Sequence, residues 1–234
     1  MHNPIIVALD VPDAAQAATL ARSVAPHVGA FKVGKELFVA AGPDIVRELR
    51  ATGARVFLDL KFHDIPNTVA KAVAAATRLD VQMLTIHCSG GSAMMRAAEQ
   101  AAQDTARLLD WPAPLVLGVT VLTSMDSAAL SELGGELDPA AQVRRLALLA
   151  SNAGLRGLVC SPLELTTLRS LVPSGLQLVT PGIRTTQDAA DDQKRTLSAP
   201  EAIKAGASWL VIGRPIYAAS DPAAAAQKIL ATLA

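Results

Sequence analysis

The feature that most constrains the fold of this chain is a repeated alternation of apolar, β-branched runs with stretches rich in alanine and leucine. Eight such runs occur along the 234 residues, at 5–10, 30–34, 55–61, 82–87, 115–122, 156–160, 176–180 and 209–213. Strands separated by helices indicate parallel pairing through right-handed crossovers. Eight strand–helix units in a chain of this length predict an α/β fold, a single closed (β/α)₈ TIM barrel that spans residues 1–234 as one domain.

The connections between the runs carry the helix signals. We predict helices at 13–26, 35–51, 66–79, 91–107 and 139–152, a short one from Pro162 and a terminal one from Asp221. The fifth unit is the longest, and residues 124–138 predict a short helical insertion after strand five. An open doubly wound sheet is the alternative arrangement, but no G-x-G-x-x-G motif follows the first strand.

Bulk charge gives no support for binding to nucleic acid or to a membrane surface, because 21 basic residues balance 21 acidic ones. No apolar run approaches the ~18 residues that a membrane-spanning helix requires, and no signal peptide is visible at the N-terminus. The two cysteines, Cys88 and Cys160, show no disulfide or zinc spacing and are expected to pack as small apolar side chains. These features predict a cytoplasmic protein that binds neither nucleic acid nor membrane.

The end of the third strand is the stretch around which the candidate site is built. Strand alternation places Phe57, Asp59 and Lys61 on one face, so two opposite charges point the same way at the end of an apolar strand. Asp64 follows in the turn, and Lys32 faces inward on strand two. Charged pairs are expensive to bury in a core but suit the C-terminal mouth of a barrel, where the strand ends converge. We predict that these four charged residues form a reaction centre, with a purely structural ion-pair network as the alternative.

Further polar residues follow other predicted strands. Asp10 ends strand one, and Thr123-Ser124 follows strand five. In barrels of this kind the loops after strands seven and eight often bind phosphate. Those loops contain Arg184 and Gly213-Arg214; a glycine lets backbone N–H groups approach an anion, and an arginine offers a bidentate fork. A phosphate-binding barrel is therefore predicted, the alternative being that the glycine only permits a turn and Arg214 is a solvated charge.

Two histidines, His63 and His87, invite a metal interpretation. Neither has a second histidine four residues away or a carboxylate pattern around it, although Asp59 with His87 could hold a divalent ion in a related barrel. The serines near the strand ends lack an evident histidine partner, which argues against acyl transfer. We therefore predict no metal site.

A longer set of motifs carries a resemblance to a known family. It begins with Asp59-x-Lys61-x-x-Asp64-Ile65-Pro66-Asn67-Thr68 and continues in family order across the chain. The other matching segments are Leu9-Asp10, Phe31 to Gly34, Val121 to Ser124, Thr180 to Arg184, Asp191 to Arg195 and Ile212 to Ile216. Together they resemble the bacterial branch of the orotidine 5′-phosphate decarboxylase family. Sugar-phosphate barrels such as hexulose-phosphate synthase share the Asp-x-Lys-x-x-Asp core, but the Ile-Pro-Asn-Thr extension and the segment around Gln193 favour the decarboxylase.

The resemblance implies a decarboxylase without metal or cofactor that converts orotidine 5′-phosphate to UMP and carbon dioxide, the last step of de novo UMP synthesis. Lys61 resembles the family's proton donor to C6 of the pyrimidine, and Asp59 resembles the carboxylate beside the substrate carboxylate. Lys32 resembles the lysine that orients Asp59. The remaining implied contacts are Asp10 and Lys32 with the ribose, Thr123 and Ser124 with the pyrimidine, Gln193 with base and phosphate, and Arg184, Gly213 and Arg214 with the phosphate.

The resemblance also implies a homodimer in which Asp64, Ile65 and Thr68 complete the site of the partner subunit. Two other functions stay open at this point: a metal-dependent aldolase acting on a sugar phosphate, and a barrel that only binds a nucleotide. Sensitivity to a chelator would distinguish the metal-dependent aldolase from the decarboxylase. The complete set of Asp59, Lys61 and Asp64 argues against the second, because binding alone has no need of an inward proton donor.

Overall fold

This computed structural model of the protein describes residues 3–134, 138–184 and 196–233. Within those ranges eight parallel strands close into a barrel in sequence order, and the last strand pairs with the first. The strands are β1 Ile5–Ala8, β2 Ala30–Gly34, β3 Val56–Phe62, β4 Met83–His87, β5 Leu115–Val119, β6 Gly157–Val159, β7 Gln177–Thr180 and β8 Trp209–Ile212. The predicted closed (β/α)₈ barrel is confirmed, and the open-sheet alternative is excluded.

Helices connect the strands. They are α1 Ala14–Val24, α2 Lys35–Ala41, α3 Asp44–Ala51, α4 Pro66–Thr77, α5 Gly91–Leu108, α6 Ser127–Ser131, α7 Pro139–Asn152, α8 Leu165–Leu171, α9 Ala199–Lys204, α10 Arg214–Tyr217 and α11 Pro222–Ala231. The short helix expected after strand five is α6. Carboxylate caps open several helices: Asp13, Asp138 and Asp221 each accept a backbone N–H of the first turn, which satisfies an amide that no helical carbonyl reaches. None of the helices in the described ranges combines the length and the apolar character that a membrane crossing demands.

The core has two apolar layers, because alternate residues of each strand face either the barrel interior or the helices. On β1, Ile6 and Ala8 pack inside the barrel, whereas Ile5 and Val7 pack in the outer layer with helix residues. The inner layer consists of Ile6, Ala8, Ala30, Phe57, Met83, Leu117, Val179, Trp209 and Val211. Since these side chains fill the barrel, the room for a ligand lies beyond them at the C-terminal ends of the strands.

Several element limits differ from those predicted. The continuous helix expected at 35–51 is two helices, α2 and α3, because Gly42 has a φ of 65° and Pro43 follows it. Strand five ends at Val119 and not at residue 122. The connection after β7 contains α9, a helix that was not predicted. A capping box of Ser198 and Glu201 opens this helix, and its S-x-x-E spacing is the signal that could have revealed it.

Candidate active site

A cavity of about 260 Å³ opens at the C-terminal ends of the barrel strands. Inner-barrel side chains, among them Phe57 and Val211, supply its apolar part. The predicted site residues that line it are Asp10, Lys32, Asp59, Lys61, Thr123, Arg184, Gly213 and Arg214. They come from the ends of six different strands or from the loops that follow. The fold therefore gathers residues that are far apart in sequence into one site.

Four of these side chains form a chain of alternating charge, which we call the charge chain: Asp10, Lys32, Asp59 and Lys61. Lys32 Nζ lies 2.8 Å from Asp10 Oδ1 and 3.8 Å from Asp59 Oδ2. Lys61 Nζ donates to both carboxylate oxygens of Asp59, each at 2.8 Å. The side chains of Lys32 and Asp59 are only 11% and 12% exposed, so water screens their attraction weakly. Of the four residues predicted to form the reaction centre, Lys32, Asp59 and Lys61 lie together, and Asp64 does not line the cavity of its own chain.

The ionisation of Asp59 follows from these neighbours. Burial by itself raises the pKa of a carboxyl group, because it takes the charged form out of water. The positive charges of Lys61 and Lys32, with hydrogen bonds from Lys61 and Thr85, outweigh that effect and hold the pKa of Asp59 below its ordinary value of 3.8. Asp59 is therefore a fixed negative charge between two lysines at neutral pH.

The end of β3 departs from regular strand geometry. Leu58 pairs with Leu84 and Phe62 pairs with Ile86. Three residues of β3 therefore face a single residue of β4, Thr85. The shift keeps the alternation of faces, since Leu60 and Phe62 pack against the outer core as Leu58 does, while Asp59 and Lys61 line the cavity with Phe57. The three residues that face Thr85 include both charged groups of β3.

Lys61 lies in this irregular segment and has a φ of 53°, in the left-handed region. That conformation costs a residue other than glycine about 1–2 kcal/mol. Thr85, which is fully buried, compensates part of the irregularity. Its Oγ1 accepts the backbone N–H of Lys61 at 2.9 Å and donates to Asp59 Oδ1 at 2.9 Å. The strained backbone thus lies within the charge chain, where strain often accompanies function.

Gly34 lies against the ion pair of Lys32 and Asp10. A Cβ atom at this position would be 3.0 Å from Lys32 Nζ and 3.2 Å from Asp10 Oδ1. The backbone of Gly34, with a φ of −88° and a ψ of −179°, is one that any residue adopts. The need for glycine is therefore one of space: a methyl group would press on both charged groups.

Residues from the last two loops also line the cavity, next to Asp10, whose Oδ2 would lie 3.9 Å from a Cβ atom at Gly213. Arg184 follows β7, while Gly213 and Arg214 follow β8. Guanidinium groups beside an approachable glycine backbone can bind an oxyanion. Tyr217 also lines the cavity, and its ring would lie 3.4 Å from a Cβ atom at Gly213. Tyr217 was not among the predicted site residues, although its spacing of three from Arg214 places the two on the same side of a helical turn.

Four predicted site residues do not line the cavity of their own chain. Asp64, Ile65 and Thr68 are exposed in the loop after β3 and the first turn of α4, and Ile65 is 66% exposed. Ser124 is exposed as well, next to the cavity-lining Thr123. A single chain therefore does not bring these four to the charge chain. Gln193, a further predicted contact, lies outside the described residues.

His63 and His87 lie beside each other, with ring centroids 5.4 Å apart. Burial lowers the pKa of His87, and the positive charges of His63, Lys61 and Lys35 lower it further against the opposing charge of Asp59. Among the described residues, no group of three or more His, Cys, Asp and Glu side chains could hold a metal ion. Asp59 is the carboxylate that could hold a divalent ion together with His87 in a related barrel. Both of its oxygens contact Lys61.

Both cysteines are free and buried, in agreement with the absence of disulfide spacing. Burial raises the pKa of each thiol to about 12. Cys88 packs where Gly118 leaves room, since a Cβ atom there would be 2.5 Å from its sulfur. Cys160 lines the cavity and lies 3.9 Å from Thr180 Oγ1. Protonated thiols are poor nucleophiles, and the prediction that both cysteines pack as small apolar groups is confirmed.

A chain of alternating lysines and carboxylates in the C-terminal mouth of a closed parallel barrel defines an enzyme of the (β/α)₈ class, because active sites in this architecture lie at that face. Comparison with known proteins specifies the enzyme family. The chain belongs to the Orotidine 5′-phosphate decarboxylase / HUMPS family, whose model matches residues 3–229. The family expected from the motifs is thereby confirmed.

Individual relatives match over the full length of the chain. A protein from Opitutus terrae named Orotidine 5′-phosphate decarboxylase is 53% identical over 233 residues, which cover 100% of this chain and 99% of the relative. A protein of the same name from Moorella thermoacetica is 51% identical over 236 residues and is covered to 94%. The crystal structure of Orotidine 5′-phosphate decarboxylase from Lactobacillus acidophilus has a TM-score of 0.85 at 37% identity, with 99% of each chain covered.

Proposed function

We propose that the protein catalyses the cofactor-independent decarboxylation of orotidine 5′-phosphate to UMP and carbon dioxide, the last step of UMP biosynthesis. The observation that carries the proposal is the charge chain, in which the Lys61 ammonium lies against the Asp59 carboxylate inside the cavity. The names of relatives that share about half of their residues with this chain support the choice of substrate.

The cavity suggests how the substrate lies. Arg184, Gly213 and Arg214 would hold the phosphate, because they supply cationic forks and an open backbone on one part of the wall. The ribose would contact the Asp10–Lys32 pair, and Thr123 with its neighbour Ser124 would contact the pyrimidine. This placement directs C6 of the base and its carboxylate toward Lys61 and Asp59.

In the proposed step the bond between C6 and the carboxylate carbon breaks. The carboxylate leaves as carbon dioxide, and the bonding electron pair stays on C6. The Lys61 ammonium donates a proton to C6, which yields UMP and a neutral lysine that water reprotonates. Since no neighbouring carbonyl takes up the electron pair, its stabilisation must come from preorganised positive charge aimed at the carbon.

Asp59 would act in two ways. Its two contacts with Lys61 Nζ fix the position of the ammonium. Its lowered pKa keeps it charged beside the substrate carboxylate, so the ground state meets a repulsion that departure of carbon dioxide removes. Binding energy from the phosphate end can be used to hold the substrate against this repulsion.

The proposal extends to a second subunit. Asp64, Ile65 and Thr68 would complete the site of a partner in a homodimer, and all three are exposed in the single chain, which leaves them accessible to a partner subunit. The proposed contact of Gln193 with base and phosphate rests on the family motif alone. We further propose one domain over residues 1–234 and a cytoplasmic location, which two free buried thiols suit.

The decisive experiment follows the ultraviolet absorbance of orotidine 5′-phosphate with purified protein in the presence of a strong chelator. We expect rapid loss of absorbance with release of carbon dioxide, and none with Lys61→Ala. Folded wild-type protein that binds UMP without turnover would overturn the proposal in favour of a binding barrel. Activity that the chelator abolishes, or turnover of a sugar phosphate instead, would favour the metal-dependent aldolase.

A further inference from the structure

Thr85 on β4 links the backbone of Lys61 to the side chain of Asp59. Its hydroxyl lies 2.9 Å from the Lys61 nitrogen and 2.9 Å from Asp59 Oδ1. The side chain is fully buried and does not line the cavity. Thr85 therefore cannot contact a substrate there, and any part that it has in the reaction must pass through the two charged residues.

The direction of both hydrogen bonds is fixed by chemistry. The backbone N–H of Lys61 can only donate, so Thr85 Oγ1 is its acceptor. The single hydroxyl proton is then available for Asp59, whose ionised carboxylate can only accept. Lys61 is thereby joined to Asp59 at two points: directly through Nζ, and through its backbone by way of Thr85. A closed ring of hydrogen bonds of this kind restricts both the ammonium and the carboxylate.

We propose that Thr85 is a positioning residue for the decarboxylation, an inference that rests on the function proposed above. It holds Lys61 in its left-handed conformation and binds one carboxylate oxygen of Asp59, so that ammonium and carboxylate meet the substrate in a fixed arrangement. The irregular end of β3 makes this residue necessary. Because three residues face one, the Lys61 N–H takes a side-chain oxygen as its partner.

Loss of the hydroxyl has two consequences that differ from simple loss of stability. The N–H of Lys61 loses its partner, so the segment relaxes and the ammonium moves away from its productive place. Asp59 still faces Lys61 and Lys32, whose positive charges lower its pKa most, but it loses the hydrogen bond that lowers the pKa least, so its pKa rises. Activity that needs ionised Asp59 is then lost at a higher pH than in the wild type as the solution is acidified.

Thr85→Val tests the inference, because valine keeps the shape and removes the hydroxyl. We expect a fall in kcat and in the single-turnover rate of about 10- to 100-fold, the range found when a residue that orients a metal ligand is replaced, with little change in KM. The acid limb of the kcat profile moves to higher pH. Thr85→Ser, which keeps the hydroxyl, restores both the rate and the profile. Thr85→Ala removes the same hydroxyl without added bulk and is expected to behave as Thr85→Val does.

The matched control is Thr77→Val. Thr77 is a buried threonine of α4 whose hydroxyl donates to the Val73 carbonyl within the helix, and its variant should keep the wild-type rate and pH profile. A folded Thr85→Val or Thr85→Ala protein with wild-type kcat and profile would refute the inference. So would an equal loss in Thr85→Ser. Failure of the wild type itself to decarboxylate the substrate would instead refute the proposed function.

Discussion

Replacing Lys61 by glycine is expected to give a more stable protein than replacing it by alanine. The φ of 53° at this position costs an L-residue about 1–2 kcal/mol. Glycine adopts the conformation freely, although its greater freedom in the unfolded chain costs about 0.5–1 kcal/mol. The difference favours glycine by up to about 1.5 kcal/mol, and by roughly 0.75 kcal/mol at the midpoints of the two ranges. Both variants remove the same ammonium, so the loss of the contact with Asp59 cancels in the comparison.

Lys32 provides the matched control. It also contacts Asp59 and lies on the neighbouring strand β2, but it is not among the described residues with a positive φ. Glycine inside a regular strand is less stable than alanine by about 0.5–1 kcal/mol. The order of the two Lys32 variants should therefore be the reverse of the order of the two Lys61 variants.

Urea denaturation of the four variants, at one fixed protein concentration because association adds to apparent stability, gives the unfolding free energies. The midpoints should differ while the slopes stay equal, since the same surface is exposed in each case. The left-handed backbone at Lys61 would be refuted if glycine lowered the unfolding free energy relative to alanine by the same amount at position 61 as at position 32. All four variants should also lack most of the decarboxylase activity.

Three further predictions test other parts of the site. Arg214→Ala should weaken binding of the phosphorylated nucleotide far more than binding of the bare nucleoside, as measured by calorimetry. Equal effects on both ligands would show that Arg214 does not bind the phosphate. Gly34→Ala should fold normally but lower kcat/KM, because its methyl group would press on the Lys32 ammonium at 3.0 Å; unchanged kinetics would show that the ion pair shifts without consequence. The lowered pKa of Asp59 contributes stability that is complete above its ordinary value of 3.8 and is lost as the pH falls below it. The difference in unfolding free energy between the wild type and Asp59→Asn should thus shrink in acid, and a constant difference would contradict the lowered pKa.

Most of the barrel could be predicted from the sequence because the relevant signals are local. Apolar β-branched runs separated by helix formers indicate parallel strands, and the closed barrel then brings every strand end to one face. Alternation along β3 also placed Phe57, Asp59 and Lys61 toward the same cavity, as observed. The break between α2 and α3 was missed, although Gly42 and Pro43 mark it, because apolar residues continue on both sides.

The finer geometry of the site could not be predicted, because it depends on contacts between strands. Nothing within the sequence of β3 reveals that three of its residues face one residue of β4, since register is a property of the pair. The importance of Thr85 follows only from that register. Likewise, Gly34 reads as an ordinary helix-preceding glycine until Lys32 and Asp10 are found against it.

The charge chain consists of two lysines and two carboxylates, so its formal charges sum to zero. Exchange of Lys32, Asp59 or Lys61 for a neutral residue leaves an unbalanced charge among side chains that are at most 24% exposed, and the other members cannot neutralise it. Stepwise drift through single substitutions is therefore obstructed at these positions. A descendant with a different chemistry would need two complementary exchanges together, or an ion recruited from solution to replace the missing charge. Redesign of the site should accordingly change its members in oppositely charged pairs.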